Sequence, residues 1–172
     1  MAEILLVVAP RGFRDEEALV PKARFEASGH RVTVASVAAG ACRGSLGAWI
    51  QAPVSLAETR GDRYDAVVFA GGEGSLALIQ DASAHRVARE AWRARRPVGA
   101  LCAAVSILAE AGLLEGRRAT AWPERHHHLR KRGAVLCDGG VVTDPEGIVT
   151  AAGPAWAAAF ADAMLRLLPA AT

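Results

Sequence analysis

Short apolar runs alternate with helical patterns along the 172 residues, the arrangement expected of a parallel α/β sheet. Ile4-Leu5-Leu6-Val7-Val8 is apolar without interruption, which predicts a central strand buried on both faces. Asp15-Glu16-Glu17 opens a helix predicted to reach about Ser28, with its acids where the helix dipole favours them. Gly29 ends it, and Arg31–Ala35 is the next strand. The run Ala66–Ala70 predicts a strand leading straight into Gly71-Gly72-Glu73-Gly74. Ala84–Arg95 reads as an amphipathic helix with Val87, Ala88, Ala91 and Trp92 on one face. A strand over Val98–Leu101 then precedes Cys102 and a helix over Ala103–Ala111, closed by Gly112. Short strands are expected at 134–136, 141–142 and 148–150. A last helix over Ala155–Leu168 sets Trp156, Phe160, Met164 and Leu167 at helical spacing. Between Ala38 and Gly61 glycines interrupt the pattern, and a small edge hairpin is the expectation there. With no linker or repeat, residues 1–172 read as one doubly wound α/β domain.

Composition narrows the function classes. Hydrophobic residues at 52% and charged residues at 22% argue against disorder. The balance of 20 basic against 18 acidic side chains lacks the clustered excess of a nucleic-acid binder. No run approaches the ~20 apolar residues that span a bilayer. The start of the chain lacks the basic and apolar regions of a signal peptide, so a soluble, cytoplasmic protein is expected. Cys42, Cys102 and Cys137 are too few and too scattered for a disulfide framework. In a reducing compartment a lone thiol is free to act as a nucleophile.

Cys102 is the candidate. Ala100-Leu101-Cys102-Ala103-Ala104 has the small-x-nucleophile-x-small form of a strained strand-to-helix elbow. Its place at a helix start favours thiolate over thiol, and the carboxyl ends of strands are where open α/β sheets bind ligands. A buried structural cysteine is the equally weighted alternative. Gly72 and the Ala103 amide are positioned to form an oxyanion hole, with an ordinary glycine turn as the plain reading of the former. Glu17 also emerges at the carboxyl edge, although acids are common in first helical turns. His126-His127-His128 lacks a zinc-ligand spacing, so exposed polar histidines are the expectation, with one of them a candidate base for Cys102. Cys42 and Cys137 read as structural. Neither a Gly-x-Gly-x-x-Gly loop nor a Walker lysine is present, and no metal or cofactor is expected.

Ordered landmarks over nearly the whole chain resemble the ThiJ/PfpI superfamily, the protein deglycase family with a class I glutamine amidotransferase-like fold. They are Ala9-Pro10-Arg11-Gly12-Phe13-Arg14-Asp15-Glu16-Glu17, Pro21 and Gly29-His30; Tyr64-Asp65-Ala66-Val67-Val68 into Gly71-Gly72; Ala100-Leu101-Cys102-Ala103; Ala111 to Thr120; and Ile148 to Pro154. The resemblance implies a flavodoxin-like sandwich, commonly dimeric. It implies Cys102 as nucleophile, Glu17 as a protonated acid bonded to the sulfur, and Gly72 with Ala103 as the oxyanion hole. The chain departs from the pattern at two places. No histidine follows Cys102, and Ala121-Trp122-Pro123 stands where the deglycase branch has a histidine, leaving Glu124 or His126 as possible third partners.

The leading expectation is a cofactor-independent, cysteine-dependent enzyme acting on small reactive carbonyls in a glyoxalase-like or deglycase-like way. The alternatives are a cysteine hydrolase, amidase or peptidase-like enzyme, and a non-catalytic redox sensor or stress chaperone that works by Cys102 oxidation. A small carbonyl or amide substrate and a homodimer are the partners expected.

Overall fold

The first strand, β1 (Glu3–Val7), lies inside a seven-stranded sheet, and its alternation sets up two cores. Leu5 and Val7 point to one face and Ile4 and Leu6 to the other, all fully buried. The computed structural model describes residues 1–170. After β1 come β2 (Arg11–Phe13), α1 (Asp15–Ala27), β3 (Arg31–Ser36), β4 (Gly40–Gly44), β5 (Trp49–Ala52) and β6 (Val54–Ser55). The middle of the chain forms β7 (Ala66–Phe69), α2 (Ala82–Arg93), β8 (Val98–Leu101) and α3 (Val105–Glu110). The remainder forms β9 (Arg118–Ala119), α4 (His126–Lys131), β10 (Val135–Leu136), β11 (Val141–Thr143), β12 (Ile148–Ala151) and α5 (Ala157–Leu165).

The main sheet runs β11-β12-β8-β7-β1-β3-β6, parallel throughout except for the β11–β12 edge. On one face α2 and α3 bring Val87, Ala88, Ala91, Ile107 and Leu108 against Leu5, Val7, Val67 and Phe69. On the other, Phe25 of α1 and Phe160 and Met164 of α5 cover Ile4, Leu6 and Val68. Burial of each such large side chain stabilises the fold by roughly 1.5–3 kcal/mol. Gly99 of β8 makes the second docking possible. A β-carbon there would lie 2.6 Å from Phe160 and 2.8 Å from Met164, so any larger residue would push α5 off the sheet. This is the doubly wound sandwich expected of the alternating pattern.

Several local expectations shift. The edge hairpin exists as β4–β5, antiparallel, but β2 pairs with β4 to make a separate three-stranded sheet. Buried Asp15 ties that sheet to α1 by accepting the amides of Leu46 and Ala48 at 3.0 and 2.9 Å. The helix after Cys102 begins as a tight turn, Cys102–Ala104, before α3 proper. The last helix starts late because Pro154–Trp156 forms its own turn. Trp156 therefore leaves the core-facing stripe, is 45% exposed and lies against Gly140, while Phe160 and Met164 stay buried.

Candidate active site at the carboxyl edge

Three neighbouring segments meet where β1, β7 and β8 end. Cys102 follows β8 directly and is held at φ 58°, one of two positive φ values among the described non-glycine residues. A left-handed backbone costs an L-residue roughly 1–2 kcal/mol, so the surrounding contacts hold the elbow against its own preference. The thiol is buried, with 8% of the residue exposed.

Glu17 comes from the first turn of α1 and is 0% exposed. The start of α1 is bolted to the end of β7 by the Arg14 amide, which donates to Gly71 O at 2.9 Å. Pro21 lacks an N–H, so it gives no hydrogen bond to the Glu17 carbonyl four residues back. Gly71 separates the acid from the thiol. A β-carbon on it would lie 2.4 Å from Leu101 O, 2.8 Å from the Cys102 β-carbon and 2.9 Å from Glu17 Oε1. Gly72, at φ 100°, is equally confined, with Arg14 N only 2.3 Å from any added β-carbon. Both glycines are thus required by close approach. Gly71→Ala is expected to destabilise the protein by about 1–3 kcal/mol through overpacking. It should also slow Cys102 alkylation, read by urea titration and intact mass.

Neither carboxyl oxygen of Glu17 has a partner at hydrogen-bond length, and the looser pull of the Cys102 thiol is the weakest influence on it. Burial dominates and raises the carboxyl to about 8, against a smaller lowering by the Arg14 cation. The thiol is also raised, to about 11, first by burial and then by the charge on Glu17. The backbone amides of Ala103 and Gly72, and Arg14 beyond them, pull it back down. The sequence expectation of a thiol lowered by a helix start is therefore corrected. The turn at Cys102 and the helix after it are short, and burial beside a second acid outweighs them.

The site opens into a cavity of about 360 Å³ lined by Arg14, Glu17, Gly72, Cys102, Ala103, Trp122, Glu124 and Arg125 among others. A wider cleft of about 550 Å³, around Trp92, Arg93 and Glu146, lies at the opposite, amino end of the strands, away from the thiol. Glu124 reaches the cavity wall, whereas His126 does not line it and is bonded through Nε2 to Ala121 O at 3.1 Å. Of the three adjacent histidines His127 alone is exposed. His128 is tucked between Ser106 Oγ, 2.9 Å from Nδ1, and Glu110 Oε1, 2.7 Å from Nε2, which corrects the expectation of exposed histidines. Trp122 and Arg125 were not foreseen as parts of the cavity wall. Cys42 is buried in the core, and the half-buried Cys137 receives Arg118 Nε at 3.4 Å. Among the described residues no group of three or more His, Cys, Asp or Glu side chains is placed to hold a metal. No described helix is long and apolar enough to cross a membrane.

The DJ-1/PfpI family model matches residues 2–167. The chain belongs to the DJ-1/PfpI family. An uncharacterized protein of Methanocaldococcus jannaschii, MJ0967, is 36% identical over 97% of this chain and 82% of its own length. The deglycase PYRAB04690 of Pyrococcus abyssi is 30% identical over 81% of this chain and 84% of its own. Among solved structures, a ThiJ/PfpI domain protein from Brachyspira murdochii superposes with a TM-score of 0.93. It is 31% identical and covers 96% of this chain and 95% of its own. The ThiJ/PfpI domain structure shares the fold of this chain, and relatives named deglycase point to an enzyme family.

Proposed function

We propose that this DJ-1/PfpI protein is a cysteine-dependent enzyme that converts small 2-oxoaldehydes, free or as adducts, to hydroxy acids without a cofactor. The observation that carries the reading is Glu17, a fully buried carboxyl with no hydrogen-bond partner, beside a thiol on a strained elbow. A buried acid of this kind keeps its proton until a neighbour takes it.

The pair loses its first proton near 8 and its second near 11. Between these values the site carries one negative charge. That charge rests on Glu17 and the remaining proton on Cys102; as the sulfur meets an aldehyde, the Glu17 carboxylate takes the thiol proton and the two amide donors hold the charge left on sulfur. That thiolate adds to the aldehyde carbon, and the alkoxide formed takes the Glu17 proton to give a hemithioacetal. Glu17, again a carboxylate, moves the proton on that carbon to the adjacent carbonyl carbon, while the hydroxyl proton passes to the former ketone oxygen. The resulting thioester is hydrolysed by water to the hydroxy acid and the free thiol. The amides of Gly72 and Ala103 stabilise charge developing at the attacked centre.

With methylglyoxal the expected product is lactate, followed by proton NMR. The expected kcat/KM rises as pH passes about 8 and falls again near 11, because the active form is the singly protonated pair. Absence of lactate across that range would overturn the proposal.

A further inference from the structure

The cavity holds a second cation whose charge is not used by the protein. Arg14 is held by Glu16 at 2.7 Å. Arg125 has no carboxylate within 4.0 Å among the described residues, and Glu73 and Glu124, which line the same cavity, do not pair with it. Its one side-chain bond is from Nε to Ser106 Oγ, 3.1 Å away. Both terminal nitrogens, the fork that matches a carboxylate, are left without a protein acceptor among the described residues.

The guanidinium is nevertheless built in. Ser106 is 0% exposed and sits one helical turn beyond Cys102. Its hydroxyl is also bonded to His128, which is bonded to Glu110, and Arg132 donates to Glu110 at 2.9 Å. The backbone adds its own restraint. The Trp122 amide reaches Cys102 O at 3.4 Å, and the Arg125 amide donates to Trp122 O at 2.8 Å. A chain of polar groups that runs from buried Ser106 through His128 and Glu110 to Arg132 at the surface thus fixes the inner edge of an arginine whose outer edge is free, in the cavity that holds the thiol. Such an arrangement limits the rotamer freedom an arginine otherwise loses on binding.

We propose that Arg125 is a specificity-determining residue that receives the carboxylate of a substrate bearing both a reactive carbonyl and an acid group. The substrate class rests on the function proposed above. For a carboxylate-bearing 2-oxoaldehyde such as 4,5-dioxopentanoate, water adds overall. The aldehyde carbon is oxidised to the acid while the neighbouring ketone carbon is reduced to the alcohol, giving 2-hydroxyglutarate without an external oxidant. Ser106 and His128 are positioning residues that act through Arg125.

The test uses iodoacetate and iodoacetamide, which differ in charge but alkylate a thiol by the same displacement of iodide, with Cys102 modification read by peptide mass spectrometry. In the wild type, the iodoacetate-to-iodoacetamide rate ratio at Cys102 is expected to exceed that of free glutathione by about tenfold or more, as a charge-assisted hydrogen bond allows. Arg125→Met should bring the ratio to the glutathione value or below it, since Glu73 and Glu124 then dominate the wall. Arg125→Lys, which keeps the charge and loses the fork, should fall between. Continued protection of buried Cys42 shows that each variant remains folded. An equal ratio in wild type and Arg125→Met overturns the proposal. None of this needs turnover, so a charge preference without lactate formation would overturn the reaction and leave Arg125's role standing. Turnover by the wild type should in turn favour 4,5-dioxopentanoate over its methyl ester, and lose that preference in Arg125→Met.

Discussion

Exchange of Cys102 for alanine is expected to abolish lactate formation from methylglyoxal, down to the uncatalysed rate, while the protein stays folded. The side chain is small and its removal opens little space, so the stability change should be modest. The backbone is the more informative part. Alanine keeps the penalty of φ 58°, because the strain comes from the β-carbon and not from sulfur. Cys102→Gly should be equally inactive yet more stable than Cys102→Ala by about 1 kcal/mol, which is the strain stored at the elbow. Urea titrations of the two variants measure that difference directly. Residual turnover in either variant would remove the sulfur from the reaction.

The second large effect concerns Glu17, where activity and stability should move in opposite directions. Its carboxyl is raised from 4.5 to about 8 in the folded protein. Below pH 4.5 both folded and unfolded chains hold the proton, and the acid costs nothing by ionisation. As pH rises from there to about 8, the unfolded chain releases the proton and the folded one retains it. Folding stability therefore falls across that window, by something on the order of 3 kcal/mol at pH 7. Glutamine has the same shape and no charge to lose. Glu17→Gln should flatten the slope and leave the variant more stable than wild type at neutral pH, by up to that amount, with little difference at pH 4. The same change removes the group proposed to shuttle the proton and should reduce kcat by about 10²–10⁴-fold. Thermal melts at pH 4 and 7.5, with the methylglyoxal assay, read both consequences. Unchanged stability at both pH values would show that the carboxyl is not held in its neutral form.

The sandwich was readable from periodicity because its strands are buried on both faces. Ile4–Val8, Ala66–Ala70 and Val98–Leu101 have no polar position to confuse the pattern. The elbow was readable too, because alanines flank Cys102 where a larger residue would clash. Other parts of the site were not. Gly71 reads as a turn glycine, and only three-dimensional proximity shows that it separates the thiol from the acid. The short α4 is not legible because His126-His127-His128 carries no amphipathic signal, and neither are the bonds that draw His128 inward to Ser106 and Glu110. Trp156 reads as part of the buried stripe because helical spacing continues through Pro154–Trp156 while the α-helical backbone does not. The expectation of an acidified thiol failed for a different reason. The dipole rule considers the helix, whereas the sulfur responds first to burial and to a neighbouring acid.

The Trp122 amide on the Cys102 carbonyl has a consequence for how the protein comes into being. Residues 17, 71, 72 and 102 come from three crossovers of the sheet, and one side of the cavity wall, Trp122, Glu124, Arg125 and Pro154, is drawn from chain beyond β8. A nascent chain that has emerged only through Cys102 already carries the acid, the glycines and the thiol, but lacks the Trp122–Arg125 side of the cavity wall. Contacts so distant in sequence are the slow ones to form. The chemistry therefore matures late in synthesis. An incomplete chain holds a solvent-accessible cysteine of ordinary reactivity, and the finished fold converts it into a site that admits selected molecules.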